Sequence, residues 1–239
     1  MSDSLLHWNL VHRPFEAAWD TRFFYPSPSH QEALDRLAYV VHERSLNFAL
    51  LSGEIGCGKT LVRSVLQHHL PASSFRLLVL ENSGFQMDDL LAALLARLDT
   101  PHATPPSTPL ERLDRVRSLL EAEAAAGRHV VLLCDEAQDL SADTLNGLRW
   151  LTNFNGGGAS LLTILLIGQP DLRARVESIP ALDQRIGLRY HLRPLAAPDQ
   201  TAAYLAHRLH AAGHPTGEFF DPEAAALLHQ FSAGIPRTL

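Results

Sequence analysis

The fold of this chain is decided by the stretch Phe48-Ala-Leu-Leu-Ser-Gly53-Glu-Ile-Gly-Cys-Gly58-Lys59-Thr60. It begins with an apolar run typical of a strand and continues into the pattern G-x-x-x-x-G-K-[ST], which it matches in full. A helical stretch follows, from Lys59 to about Leu70. Glycines allow backbone N–H groups to wrap around phosphates, and the start of the helix adds a favourable dipole. The stretch therefore predicts a phosphate-binding loop, the Walker A motif.

Each residue of this loop is a candidate nucleotide contact. We expect Lys59 to reach the β- and γ-phosphates and to assist their chemistry, and the Thr60 hydroxyl to ligate Mg²⁺. The alternative is a glycine-rich turn that only resembles such a loop, and the strand before it and the helix after it argue against that alternative. The sequence thus predicts ATP and Mg²⁺ as cofactors, with these loop contacts: Gly53, Glu54, Ile55, Gly56, Cys57, Gly58, Lys59, Thr60 and Leu61.

A second motif, Val130-Val-Leu-Leu-Cys-Asp135-Glu136, lies about 75 residues beyond the loop. Its uniformly apolar run predicts a strand buried on both faces. Asp135 then lies at the sheet edge, where it would ligate Mg²⁺, and Glu136 would act as general base toward the attacking water. Alone, an acidic pair after a strand is as often a solvated strand end. Together with a complete loop, it indicates the Walker B motif of an ATPase.

Further candidates follow a fourth apolar run, Leu161 to Ile167. Gln169 stands where a sensor-1 residue would contact the γ-phosphate or the attacking water, and a simple strand-to-helix turn is the alternative. Three arginines could act in trans on the nucleotide of a neighbouring subunit: Arg173, Arg175 and Arg185. Arg185 is the favoured one, because it lies between a short helix and the last strand. A solvated charge is the alternative for each of them.

Apolar runs alternate with segments of helical period, which predicts an α/β fold with a parallel sheet. Helical pattern alone remains after Pro198, in Asp199–Ala212 and Asp221–Ser232. We therefore predict an α/β core over residues 1–195 and a small helical lid over residues 196–239. Arg237, in Gly234-Ile-Pro-Arg237, would open a third lid helix and act as a sensor-2 residue over the phosphates.

Composition limits the functions open to the chain. Its 239 residues are 46% hydrophobic and carry a net charge of −6, so no overall positive charge attracts nucleic acid. A local basic face stays possible near Arg149 and residues 155–158. The first residues lack the pattern of a signal peptide, and no apolar run approaches the roughly 20 residues of a membrane span. The two cysteines suggest a reducing compartment. We therefore expect a cytoplasmic location, at most peripheral to the inner face of the cell membrane.

These motifs, in this order, resemble the AAA+ superfamily. More specifically the chain resembles the ExeA/GspA-type ATPases associated with general secretion, and it is similar to transposition helper ATPases of the TniB and MuB kind. The block ahead of the loop is the most specific part of the resemblance. The matching segments extend over nearly the whole chain: Pro14-Phe15, Arg22-Phe-Phe-Tyr25, Ser29-His30-Gln-Glu-Ala-Leu34, Asp135-Glu-Ala-Gln138-Asp-Leu, Leu166-Ile-Gly-Gln169-Pro-Asp-Leu172, Arg185-Ile-Gly-Leu-Arg-Tyr-His-Leu-Arg-Pro194 and Gly234-Ile-Pro-Arg237.

The resemblance implies a sheet with strand order 5-1-4-3-2 and nucleotide-dependent self-association. It also implies that the segment before the loop lies against adenine, through Phe24, Tyr25 and Pro26. Relatives continue well beyond the position of Arg237, whereas this sequence has two more residues. We therefore expect a partial lid, hydrolysis impaired to the extent that the lid is incomplete, and a chain that is a fragment or a shortened product.

Three functions fit these expectations. The first is a secretion or envelope-assembly ATPase that remodels a partner complex, which the acidic balance and the opening block favour. The second is a DNA-binding regulator of transposition, which would need a basic stripe and a salt-sensitive interaction with DNA. The third is a nucleotide-gated scaffold without useful turnover. Glu136 argues against the scaffold, whereas the short lid argues for it.

Overall fold

A computed structural model describes residues 5, 7–16, 19–81, 84–98, 106–156 and 158–239. The chain forms two compact units. One unit comprises Met1–Asp35, Gly53–Leu66 and Leu192–Leu239, and we call it the loop unit because it contains the phosphate-binding loop. The other comprises Arg36–Ser52 and Gln67–His191, and we call it the sheet unit.

The strands are β1 (Phe48–Gly53), β2 (Phe75–Leu80), β3 (His129–Cys134), β4 (Asn155–Gly156), β5 (Ala159–Ser160), β6 (Leu162–Gly168) and β7 (Leu188–Leu192). In the described part of the chain, five of them form one sheet in the order β2-β3-β6-β1-β7. β6 pairs in parallel with β3 on one side and with β1 on the other, and β3 pairs in parallel with β2. When the strands of this sheet are numbered among themselves, the order is 5-1-4-3-2 from one edge, which confirms the expected fold class.

Burial explains why these strands are apolar. Every residue of β1, β3 and β6 is buried, as expected for central strands covered on both faces. The edge strand β2 instead alternates, with Phe75, Leu78 and Leu80 buried and Arg76 exposed. The parallel register pairs Cys134 with Leu166 and Ser52 with Gly168. The carboxyl ends of β1, β3 and β6 therefore lie at the same edge of the sheet.

The helices of eight or more residues are α1 (Pro28–Glu43), α2 (Lys59–His69), α3 (Met87–Leu98), α4 (Pro109–Ala125), α5 (Ala142–Leu151), α8 (Pro198–Ala211) and α9 (Pro222–Ser232); two shorter ones are α6 (Asp171–Glu177) and α7 (Pro180–Asp183). Ser141 caps α5, since its side chain accepts from the Thr144 N–H. The helix ends at Leu151, and the short strands β4 and β5 that follow it pair antiparallel. Sequence reasoning missed α1 and α7.

The sheet unit has one large hydrophobic cluster. It joins the sheet to helices that flank it, through fully buried residues such as Leu132 of β3, Leu94 of α3 and Leu145 of α5. Gly147 allows α5 to approach α3, because a Cβ added there would lie 2.8 Å from the Met87 sulfur. This core holds the strand ends that carry the acidic pair and Gln169.

The loop unit has two smaller apolar clusters. One contains Leu10, Phe23, Leu209 and Ala212, so that the N-terminal segment packs on α8. The other is built on Leu195, Tyr204 and Leu205, against which Tyr25 packs. α8 and α9 also pack against each other.

The boundaries of the two units can be compared with the predicted domains, residues 1–195 and 196–239. One boundary falls at Leu192, close to the predicted division at residue 195. The unit that contains α8 and α9 also contains the N-terminal segment and the loop, which the sequence analysis assigned to the α/β core. The division into core and lid therefore stays a prediction. No helix within the described ranges has the length and apolar character needed to cross a bilayer.

Candidate nucleotide site

The phosphate-binding loop depends on two glycines with left-handed backbone. Gly56 has φ +86° and Gly58 has φ +98°, which side chains rarely adopt. Space is limiting as well: a Cβ at Gly56 would lie 2.6 Å from the Arg237 Cβ, and one at Gly58 would lie 3.0 Å from the His30 Nε2. Glycine is therefore required at positions 56 and 58 by both conformation and packing.

Lys59 closes the loop on itself. Its Nζ donates to the carbonyl oxygens of Gly53 at 2.8 Å and Glu54 at 3.0 Å, and the Cys57 N–H donates to the Glu54 carbonyl at 3.2 Å. Lys59 is the only lysine in the chain, and it is buried at the first residue of α2. Thr60 follows in the first turn. The loop thus positions an ammonium, a hydroxyl and the amino end of an 11-residue helix together.

A buried histidine supports the loop from α1. The His30 Nε2 lies 2.8 Å from the Cys57 carbonyl oxygen, and its Nδ1 lies 2.6 Å from the Ser27 hydroxyl. Burial lowers the pKa of His30, which favours the neutral ring. Because a carbonyl only accepts, Nε2 carries the proton and Nδ1 accepts from Ser27. His30 belongs to the block that carries the resemblance, but sequence reasoning gave it no role at the site.

Arg237 contacts the loop through its backbone and its stem. Its N–H donates to the Gly56 carbonyl at 3.2 Å, and its Cβ is the nearest atom to the space beside Gly56. The residue itself is exposed. The structure thus brings the proposed sensor-2 residue to the loop, while its action on a nucleotide stays a prediction.

Tyr25 belongs to an aromatic cluster of the loop unit. Its ring packs edge-on against Tyr204, with centroids 6.1 Å apart, and is tilted against His207 at 5.8 Å. The neighbouring Phe24 ring contacts His30 at 6.1 Å, and Pro26 is exposed. Burial raises the pKa of Tyr25, and the charge of Asp199 raises it further. The suggested contact of these residues with adenine stays a prediction.

In the sheet unit, Asp135 and Glu136 follow β3 directly. Asp135 is buried, and its N–H donates to the Leu80 carbonyl of β2 at 2.9 Å. Its Oδ1 accepts from the Glu136 N–H at 3.0 Å. Glu136 has left-handed backbone, with φ 50° and ψ 40°, so the chain turns sharply between the two carboxylates. Glu136 is only half-buried, whereas Asp135 is covered.

Gln138 links this acidic pair to the end of β6. Its Nε2 donates to the Glu136 Oε2 at 2.9 Å, and its Oε1 accepts from the Gln169 N–H at 3.0 Å. Gln169 is therefore close to the acidic pair, but through its backbone. Gln138 lies in one of the segments that carry the family resemblance, but no role at the site was predicted for it. Its signal was the D-E-x-Q spacing, which places the amide two residues beyond Glu136.

The candidate arginines for action in trans are all engaged within the sheet unit. The Arg185 Nη1 donates to the Asn153 Oδ1 at 2.8 Å and to the Thr152 hydroxyl at 3.2 Å, beyond the end of α5. Arg173 pairs with Glu177 at 2.8 Å, and Arg175 donates to the Leu140 carbonyl. The role of Arg185 toward a neighbouring subunit stays a prediction, and it requires these contacts to open.

The two cysteines are buried, and neither thiol is activated. Burial raises the pKa of Cys134 to about 12 and also raises that of Cys57. Within the described residues, no group of three or more His, Cys, Asp or Glu side chains could hold a metal ion.

The comparisons with known proteins agree with this geometry. Residues 42–176, more than half of the chain, match the family model described as AAA domain. The chain is 38% identical over 234 residues to General secretion pathway protein A of Aeromonas hydrophila, an alignment that covers 97% of this chain and 42% of that protein. The chain thus spans less than half the length of this relative.

Solved structures give the same fold. The Aeropyrum pernix ORC2 protein, in ADPNP-ADP complexes, superposes with a TM-score of 0.67 at 16% identity, over 87% of this chain and 59% of that one. Cdc6p from Pyrobaculum aerophilum gives 0.65 at 19% identity, over 87% and 57%. These likenesses concern the fold, and the family model concerns the sequence. Because the family model matches more than half of its residues, the chain belongs to the AAA domain family.

Proposed function

We propose that this chain binds ATP with Mg²⁺ and hydrolyses it to ADP and phosphate. The observation that carries the proposal is the loop itself, in which Gly56 and Gly58 have left-handed backbone and Lys59 opens α2. Backbone N–H groups and a helix start arranged in this way favour phosphate groups. The AAA domain is a nucleotide-binding fold, which supports the same proposal.

The ligands proposed for Mg²⁺ are Thr60 and Asp135. Thr60 offers a hydroxyl and Asp135 a buried carboxylate, and Mg²⁺ prefers oxygen ligands. Mg²⁺ is usually held by one or two protein groups, with substrate phosphates and water as the remaining ligands. The ion would neutralise charge on the phosphates.

The protein groups then have separate roles. Lys59 would bind the β- and γ-phosphates once its ammonium leaves the carbonyls of Gly53 and Glu54. Glu136 would accept a proton from the attacking water, since its carboxylate is half-exposed and held in one orientation by Gln138. Gln169 and Arg237 would sense the γ-phosphate.

We further propose a role in general secretion or envelope assembly, at the cytoplasmic face of the membrane and as a nucleotide-dependent homo-oligomer. The proposal rests on the identity of 38% to a general secretion pathway protein, of which this chain spans 42%. The net charge of −6 supports a protein partner over DNA. DNA binding and a scaffold without turnover remain as alternatives that the following experiment separates.

The test compares Lys59→Ala and Glu136→Gln in ATP binding and in steady-state phosphate release. Lys59→Ala should lose ATP binding, because it removes the chain's single ammonium at the phosphates. Glu136→Gln should keep ATP binding and lower turnover by about 10²-fold or more, the usual worth of a general base. Equal loss of binding in both variants would contradict these roles.

The single lysine allows a second readout that does not need turnover. An amine-reactive reagent can modify only Lys59 and the terminal amine, which peptide mapping distinguishes. ATP with Mg²⁺ should protect Lys59 selectively. Turnover raised by duplex DNA at low salt would instead support the transposition alternative. Protection without turnover in the unmodified protein would support the scaffold.

A further inference from the structure

Gln138 is the side chain of the sheet unit that joins the acidic pair to β6. It is only 5% exposed, although it carries two donors and an acceptor. We propose that Gln138 is a positioning residue, which fixes the carboxylate of Glu136 relative to the end of β6 for its action on water. The inference rests on the proposed hydrolysis.

The orientation of the amide follows from its partners. The Gln169 backbone N–H can only donate, so the oxygen of the Gln138 amide must face it. The NH₂ group then faces Glu136, whose Oε2 accepts at 2.9 Å. The opposite orientation would set two donors against each other and leave the carboxylate facing an oxygen. The backbone N–H of Gln169, the residue after β6, therefore determines which amide atom of Gln138 faces Glu136.

Glycine at position 168 makes room for this arrangement. A Cβ added there would lie 2.6 Å from the Gln138 Oε1 and 2.8 Å from the Leu172 Cδ2. The amide end could move away from such a methyl group, but only by giving up the short contact with Gln169. The link therefore needs both the amide at 138 and the absence of a side chain at 168.

The backbone of Glu136 lies in the left-handed region at φ 50°, which is unfavourable for a residue with a side chain. The Glu136 N–H donates to the Asp135 carboxylate. The half-exposed carboxylate of Glu136 accepts a hydrogen bond from the Gln138 amide. Loss of that contact would free the carboxylate to rotate, and a misplacement of about 1 Å can reduce a rate by 10²-fold.

The first experiment replaces Gln138 by Met or by Glu and measures kcat separately from the Kd for ATP. Gln138→Met keeps a similar volume and removes both hydrogen bonds. Gln138→Glu keeps an acceptor for the Gln169 N–H but sets a carboxylate against Glu136. Both should lower kcat by roughly 10–100-fold and leave the Kd for ATP within about twofold. The exposed Gln230→Met is the matched control and should keep kcat.

The second experiment tests the glycine. Gly168→Ala should lower kcat as Gln138→Met does, and the double variant should be no slower than the worse single one. Gly84→Ala is its control, because a Cβ there meets nothing within 4 Å. Unchanged kcat in the Gln138 variants, while Glu136→Gln abolishes turnover, would overturn the inference and leave the proposed function intact.

A lack of turnover in the unmodified protein would refute the proposed function. A third measurement, of stability, tests the link between Gln138 and Glu136 even in that case. The urea midpoints of Glu136→Met, Gln138→Met and their double variant form a cycle, because a methionine at either position removes the hydrogen bond between the two side chains. A link between the two side chains predicts a double shift smaller than the sum of the single shifts. Additive shifts would show that Gln138 does not hold Glu136, and would overturn the inference on structural grounds.

Discussion

At the scale of single residues, the left-handed backbone region serves two purposes in this protein. In the loop it is occupied by Gly56 and Gly58, whose missing side chains admit Arg237 and His30. After β3 it is occupied by Glu136, which keeps its side chain and directs it to Gln138. The glycines provide close approach of the backbone, and the glutamate provides a directed functional group.

Gly56→Ala should damage the loop selectively. The new Cβ would add strain at φ +86° and would lie 2.6 Å from the Arg237 Cβ, so Arg237 must move. We expect a loss of about 1–3 kcal/mol in the free energy of unfolding, and strongly weakened ATP binding. Urea titration and ATP binding measure the two effects. Gly84→Ala should change neither, and normal ATP binding by Gly56→Ala would contradict this account.

At the scale of elements, Arg208 of α8 binds the N-terminal segment, in addition to the apolar cluster around Leu10 and Phe23. Arg208 is buried, and its Nε and Nη2 donate to the carbonyl oxygens of Pro14 and Glu16 at 2.5 and 2.9 Å. Its guanidinium also lies over the Phe23 ring, 4.6 Å from the centroid. Burial lowers the pKa of Arg208. The family-specific opening block is thus anchored to the C-terminal helices, which no local pattern in either segment indicated.

Arg208→Met should therefore release the N-terminal segment. The change removes two hydrogen bonds from a charged group and a contact with an aromatic face, so we expect a loss of roughly 2–4 kcal/mol in unfolding free energy. Limited proteolysis should then cut near Arg13 faster than it does in the native protein. Arg173→Met, which breaks only an exposed ion pair on α6, is the control and should cost well under 1 kcal/mol.

At the scale of the whole molecule, buried histidines couple stability to pH. His129 of β3 lies 2.8 Å from the Thr163 hydroxyl of β6, and burial, with the charge of Arg44, lowers its pKa to about 4. The pKa values of His30 and His207 are also lowered, mainly by burial. The unfolded chain then binds more protons than the native protein at mildly acidic pH. Stability is complete above the unfolded pKa near 6.5 and falls toward pH 4.

Urea unfolding between pH 7 and 4.5 tests this coupling. The free energy of unfolding should decrease as pH falls below about 6.5, by at most about 1.4 kcal/mol per pH unit for each such histidine. His129→Gln keeps a hydrogen-bonding group beside Thr163 and should give a shallower decrease. His68→Gln alters only an exposed side chain and is the control. The same slope in His129→Gln and in the native protein would refute this assignment.

The sequence by itself determined the five strands of the sheet and the fold class. Short, mostly apolar runs separated by segments of helical period predict strands buried on both faces, and the G-x-x-x-x-G-K-T pattern predicts a phosphate-binding loop between a strand and a helix. The strand order followed from the family resemblance, and the structure has that order. Local pattern also placed Lys59 at a helix start and Asp135 and Glu136 directly after a strand.

Tertiary structure decided which side chains meet. Gln138 is hydrogen-bonded to Gln169, 31 positions away, and Arg208 to Pro14, 194 positions away. Arg185 donates to Asn153, beyond the end of α5. Such contacts join distant segments, and their geometry depends on packing that no period or spacing encodes. Hydrophobic periodicity predicts a helix or strand because the pattern lies within one segment of the sequence. A hydrogen bond between distant residues forms only when both of their elements are in place.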